Sequence, residues 1–251
     1  MSLYQTAISW LLYCIRDTIG LEEIRNIILA QFITNKKLLN KLIFGKTFSC
    51  RYKTSNLIKY LTLISSFKNI IILFTVSNLP DKSNESHYMT FILNNNKKQL
   101  IMIDPALNKS KPGIYKPYIA VQTIKPIFIN NNYDVKWLQT NNTCQTYEDD
   151  VFCQSWSLYL QLMYINSNEI DIPIDQYRKY EILLNFYKII ALQIPEFCSD
   201  LNNIYNKQIN KNKIVVNSKT GVEAKRIRDD ILAFGTACQL LTGMQAKDMF
   251  A

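Results

Sequence analysis

Two short runs rich in apolar and β-branched residues, HYMTFIL (87–93) and QLIMID (99–104), are separated by the polar stretch NNNKK. Such runs read as antiparallel strands joined by a turn. A hairpin in mid-chain constrains the fold strongly, because it belongs to a central sheet region with helical sequence on both sides. With the turn centred between Asn95 and Asn96, Phe91 pairs with Leu100, Met89 with Met102 and His87 with Asp104. Opposed residues share a face with Cβ atoms about 5 Å apart. The carboxylate can then orient the imidazole and stabilise its charged form. A surface His/Asp pair with no task fits the same pattern. His87 is the only histidine in the chain, so any histidine-based chemistry must use it.

Apolar residues recur at helical spacing over Leu3–Ile19, Leu21–Ile33 and Leu38–Phe44, and again in TSNLIKYLTLISSF. NIIILFTV, starting at Asn69, changes character and predicts a buried strand. After the hairpin, KPIFIN and YDVKWL read as further strands, and beyond Cys153 the helical spacing returns in WSLYLQLMYI and QYRKYEILLNFYKIIAL. Helices flanking a central sheet predict an α+β fold: a small mixed sheet packed on a buried helix, with additional helices at both ends. The expected division is a helical arm over 1–68, a core over 69–166 and C-terminal helices over 167–251, together forming one compact unit.

At 251 residues with 48% hydrophobic and 20% charged composition, the chain can bury a sizeable core and is expected to be a soluble folded protein. No apolar run approaches the ~18 residues of a membrane span, and ISWLLYCI lacks the flanks of a signal peptide, so no membrane association is expected. Six cysteines are scattered without a CxxC pair. That spacing argues against a disulfide framework or a zinc cage and predicts reduced thiols in an intracellular compartment. The net charge of +9 favours anionic partners, nucleic acid above all, although a solvated basic surface has the same composition. Heavy use of Asn, Ile and Lys suggests an AT-rich genome. The oligomeric state is not legible.

The stretch DDVFCQSWSLYL (149–160) opens a segment that is apolar on most sides, with Gln154, Ser157 and Gln161 forming a narrow polar strip. A helix of that kind is a central, buried one. Asp149 and Asp150 are candidate caps, which puts Cys153 in or near the first turn, where unpaired N–H groups and the helix dipole favour a thiolate, the two carboxylates oppose it, and an adjacent charged histidine would tip the balance towards it. For an isolated cysteine, core filler is the alternative. Cys14, Cys198 and Cys238 read as filler, and Cys50 and Cys144 as loop residues.

In chain order, His87 followed by the aromatic Tyr88, Asp104 seventeen residues later in IDPA, Gln145, and Cys153 at the start of a central helix resemble the adenovirus-protease and ubiquitin-like-protease superfamily of cysteine peptidases. That superfamily includes SUMO-deconjugating enzymes and core proteases of large DNA viruses. The resemblance covers about residues 69–166. It departs from the family pattern at Tyr88, where Trp is usual, and at VFCQSW, which has Gln154 in place of a glycine after the cysteine. Gln145 also stands eight residues before Cys153 rather than six or seven, which leaves Gln139 as an alternative.

The resemblance implies a papain-like, adenain-type cysteine peptidase without metal or cofactor. Cys153 would be the nucleophile, His87 the general base and acid, Asp104 the group that holds the imidazole, and Gln145 an oxyanion donor together with the Cys153 N–H. It further implies a protein substrate cut after small, Gly-Gly-like residues: a virion core protein matured in host cytoplasm and virion, or a ubiquitin-like modifier. Two rival readings are an acetyltransferase using the same order of residues, and a non-catalytic structural or nucleic-acid-binding protein.

Overall fold

A computed structural model describes residues 22–49, 55–78, 87–107, 120–145 and 152–197 continuously, together with isolated positions among 12–18 and 199–225. The chain divides into two compact units, one formed by residues 29–174 and the other by residues 1–28 and 175–251. In chain order the elements are α1 (Glu22–Phe32), α2 (Lys36–Leu39), β1 (Leu42–Ser49), α3 (Ser55–Ser65), β2 (Ile71–Asn78), β3 (His87–Asn94), β4 (Gln99–Ile103), α4 (Lys125–Asn130), β5 (Asp134–Trp137), α5 (Cys153–Ile165) and α6 (Gln176–Gln193). A π-helical turn over Ala120–Ile124 leads directly into α4. The fold is α+β. No helix among the described residues is long and apolar enough to cross a membrane.

The unit of residues 29–174 is built on one five-stranded sheet whose spatial order, β1-β2-β3-β4-β5, follows the chain. The two outer pairs, β1/β2 and β4/β5, are parallel; the two inner pairs are antiparallel. Parallel neighbours need a crossover, and helices supply both: α3 lies between β1 and β2, α4 between β4 and β5.

Successive side chains of a strand point to opposite faces, and here both faces are covered. Ile72, Phe74, Val76, Met89, Phe91, Leu93, Leu100 and Met102 pack with Leu57, Leu61 and Ile64 of α3 and with Phe128 of α4. At its centre Phe74 and Phe91 are direct cross-strand partners with rings stacked 4.8 Å apart, a contact worth roughly 1 kcal/mol beyond its area. The intervening residues Leu73, Thr90, Ile92, Ile101 and Ile103 are buried too, and α5 packs on β3 from this side. Helices on both faces explain why β2 reads as a continuous apolar run rather than an alternating one.

Three local expectations are corrected. Helix over Leu38–Phe44 is replaced by a short α2 that ends at Leu39 and a strand that starts at Leu42. Leu42 pairs with Ile71, and the Ile71 N–H donates to Lys41 O at 2.9 Å, so a long-range ladder overrides the local spacing. KPIFIN is helix α4, not a strand: Pro126 sits in its first turn, where a missing N–H costs nothing, and Ile124 and Phe128 are buried at a spacing of four.

The hairpin exists, but its register differs. Phe91 pairs with Met102 and Leu93 with Leu100, two residues away from the symmetric expectation. The turn is the four residues Asn95–Lys98, with Lys98 at a left-handed φ of 50°. Asn95 explains it. Its buried side chain donates to Ile64 O at 2.7 Å and Phe67 O at 2.8 Å and accepts from Tyr133 Oη at 2.8 Å. These bonds hold the turn against α3 and the start of β5.

In the unit of residues 1–28 and 175–251, Asp175 caps α6 by accepting from Arg178 N at 2.9 Å. Leu183, Leu184, Tyr187 and Ile190 form its buried face, with Tyr187 stacked on Phe197.

Candidate active site

β3 begins at His87, which pairs with Asn78 of β2. Asp104 follows immediately after β4 and starts a tight turn in which Leu107 N–H donates to Asp104 O at 3.1 Å. The Asp104 side chain closes on the same turn: Oδ1 accepts from Ala106 N at 2.9 Å. An aspartate is well suited to such a position, because its carboxylate substitutes for a backbone acceptor two residues ahead. The same oxygen lies 2.7 Å from His87 Nε2.

Extending the observed register by one pair would put Asp104 opposite Met89 rather than opposite His87. The two are therefore diagonal neighbours. A shift of two leaves both on one face, which is why the expected contact survives the wrong pairing.

The Asp104 turn also gathers the next candidate. Pro105 O accepts from both Cys144 N at 3.1 Å and Gln145 N at 3.0 Å. Gln145 is thereby held one residue from the carboxylate and is buried, whereas Gln139 is exposed.

Cys153 is the first residue of α5. The residue before it, Phe152, takes the cap position and has no polar atom for capping; the first intrahelical bond runs from Trp156 N to Phe152 O at 3.0 Å. Asp149 and Asp150, expected as caps, lie outside the described residues. The N–H groups of the first turn, Cys153 included, thus lack an intrahelical acceptor and present the positive end of the helix dipole.

His87, Asp104 and Cys153 are 1%, 2% and 5% exposed. Burial acts against a charged ring at His87. The hydrogen bond to Asp104, then the one to Cys153, and the charges of both outweigh it and raise the pKa from 6.5 to about 9. The surroundings thus favour the charged ring at His87, with the Asp104 carboxylate on one nitrogen.

The helix is held in place by a contact that the sequence pattern did not single out. Ser157 Oγ donates to Tyr88 O at 3.2 Å, and Thr90 Oγ1 donates to Ser157 O at 3.4 Å. The supposed polar strip of α5 is thus buried at Ser157 and Gln161, and it faces inward. The available signal was a hydroxyl residue within each apolar run, Thr90 in HYMTFIL and Ser157 in WSLYLQ.

Among the described residues, Cys14, Cys144 and Cys153 are buried and form no disulfide. Cys144, expected as a loop residue, is fully buried near Tyr159, whose phenol is pushed up by burial and secondarily by Cys144. Cys50, Cys198 and Cys238 lie outside the described residues. No group of three metal-ligating side chains occurs among those described.

A comparison with protein families finds no match, and a comparison with curated proteins finds none. Among solved structures, ChlaDub1 from Chlamydia trachomatis is similar over 76% of this chain and 94% of its own, at 14% sequence identity and a TM-score of 0.38. A likeness that shallow says nothing about activity.

Proposed function

We propose that the protein is a cysteine peptidase or isopeptidase of papain-like, adenain-type architecture, in which Cys153 is the nucleophile, His87 the acid and base, Asp104 the orienting carboxylate and Gln145 an oxyanion donor. The observation that carries this reading is the clustering of the sole histidine with a buried carboxylate on one side and a helix-initiating cysteine on the other.

The chemistry follows from these atoms. The Cys153 sulfur adds to the scissile carbonyl carbon and forms a C–S bond while the carbonyl oxygen takes up negative charge. The Cys153 N–H and the Gln145 side-chain amide meet that oxygen. As the tetrahedral adduct collapses, the C–N bond breaks and His87 delivers its proton to the leaving amine from Nδ1, since Nε2 is engaged by Asp104. Water then attacks the thioester, its proton passing to the now neutral imidazole; the acid leaves, and the thiolate and imidazolium are restored.

Two substrate classes fit: a modifier ending in Gly-Gly, and a structural polyprotein cut after small residues. The net charge of +9 supports an anionic polymer as a further partner, whose binding must weaken as salt rises.

The reading is tested by alkylation across pH with mass-spectrometric mapping of the modified cysteine. Selective labelling of Cys153 near neutral pH, slowed in His87→Ala, is the expected result. Labelling of Cys144 or Cys50 at the same rate would refute the nucleophile assignment. Electrophilic probes built on ubiquitin-like modifiers, compared with short Gly-Gly peptides bearing the same warhead, then separate the two substrate classes.

A further inference from the structure

We propose that Ser157 and Thr90 are positioning residues whose hydrogen bonds between α5 and β3 set the approach of the Cys153 sulfur to His87. The proposal rests on the thiol-peptidase reading above.

Ser157 follows Cys153 by four residues, so the two lie on one face of α5, about one turn apart. Its Oγ reaches the carbonyl of Tyr88, the residue directly after His87. Thr90 returns a bond to the Ser157 carbonyl. Two hydrogen bonds thus cross between the elements in opposite senses, one turn from Cys153 on α5 and one and three residues from His87 on β3.

α5 is also anchored at its far end, where its C-cap Asn166 accepts from Thr34 N at 3.0 Å and donates to Phe32 O at 2.7 Å. At the Cys153 end, Leu158 and Leu160 are buried, but apolar contact is non-directional and discriminates among small slides or rotations less sharply than a hydrogen bond does. A hydrogen bond already near 3.2 Å is lost on a slide of about 1 Å. The composition points the same way. Ser157 and Thr90 are almost fully buried, and a buried hydroxyl is unfavourable unless bonded, so alanine and valine would suit packing alone better. Proton transfer is sensitive on this scale: a misplacement of about 1 Å can lower a rate about a hundredfold.

The test exploits the single histidine. The His87 ring gives the only imidazole resonances of the whole chain, so its titration is read by NMR without assignment. Ser157→Ala and Thr90→Val are expected to lower the His87 midpoint from about 9 and to slow Cys153 alkylation at pH 7 by about tenfold or more. Thr90→Ser, which keeps the hydroxyl, is expected to retain the wild-type midpoint and rate.

Folded Ser157→Ala and Thr90→Val proteins with unchanged midpoint and rate would overturn the proposal. So would a Thr90→Ser that behaves like Thr90→Val, because packing rather than the hydroxyl would then be responsible. If Ser157→Ala does not fold, the Thr90 pair decides. Wild type without selective Cys153 labelling would defeat the peptidase reading and this inference with it; normal wild type with indifferent variants defeats this inference alone.

Discussion

A single oxygen of Asp104, Oδ1, accepts from Ala106 N at 2.9 Å and lies 2.7 Å from Nε2 of His87, so the turn that ends β4 and the orientation of the imidazole share one atom. Asp104→Asn weakens both at once. The His87 midpoint is expected to fall from about 9, because the leading contribution that opposes burial is removed. Turnover is expected to drop by about 10⁴, the loss seen when an orienting carboxylate becomes an amide in a related triad. NMR titration and kcat measure the two effects; an unchanged midpoint would show that Asp104 does not govern the ring.

The elevated His87 pKa also makes stability depend on pH. A histidine whose folded-state pKa exceeds its unfolded value contributes stability that is complete below about 6.5 and is lost as pH rises through about 9. The rise corresponds to about 3 kcal/mol at about 1.4 kcal/mol per pH unit. Urea denaturation at pH 6, 7.5 and 9.5 should show wild type approaching His87→Gln in stability only at the alkaline end. Parallel curves for the two proteins at every pH would contradict the assignment.

Gln145 and Gln139 are separated by their surroundings. Gln145→Ala is expected to lower kcat by about 10² to 10³ while leaving the rate of Cys153 alkylation unchanged, because alkylation develops no oxyanion. Gln139→Ala, at an exposed position, should change neither. Equal losses in the two variants would count against an oxyanion role for Gln145.

Asn95 is a purely structural counterpart. Asn95→Ala removes a partner from the carbonyls of Ile64 and Phe67 and from the hydroxyl of Tyr133, leaving Ile64 O with Phe67 N at 3.4 Å and Tyr133 Oη with Ser65 O at 3.2 Å, at an expected cost of about 1 to 3 kcal/mol in chemical denaturation. Well below its melting range the variant should alkylate Cys153 at the wild-type rate, since the turn lies at the opposite end of β3 from His87. A slowed rate in the folded variant would mean that the turn communicates with the site.

Legibility followed the range of the interactions involved. β2, the β3/β4 hairpin, α5 and α6 were readable because each is specified by spacing within a short window. β1 and α4 were not. The strand depends on pairing with β2 almost thirty residues later, and the helix on burial of Ile124 and Phe128 against a sheet that the local pattern cannot see.

By itself the sequence determined the identity of the candidate groups: one histidine, an aspartate at the end of the hairpin's second strand, and a cysteine at the start of a helix apolar on nearly every side. Tertiary structure alone decided how they meet. The hairpin turn is held by Asn95, whose partners lie 28 to 38 residues away in the chain, and α5 by bonds of Ser157 and Thr90 spanning 67 to 69 residues and of Asn166 spanning 132 to 134. A hydrophobic pattern specifies which face is buried, but it is degenerate to shifts of two along a strand and to small slides along an apolar helix. Directional bonds between distant segments remove that degeneracy.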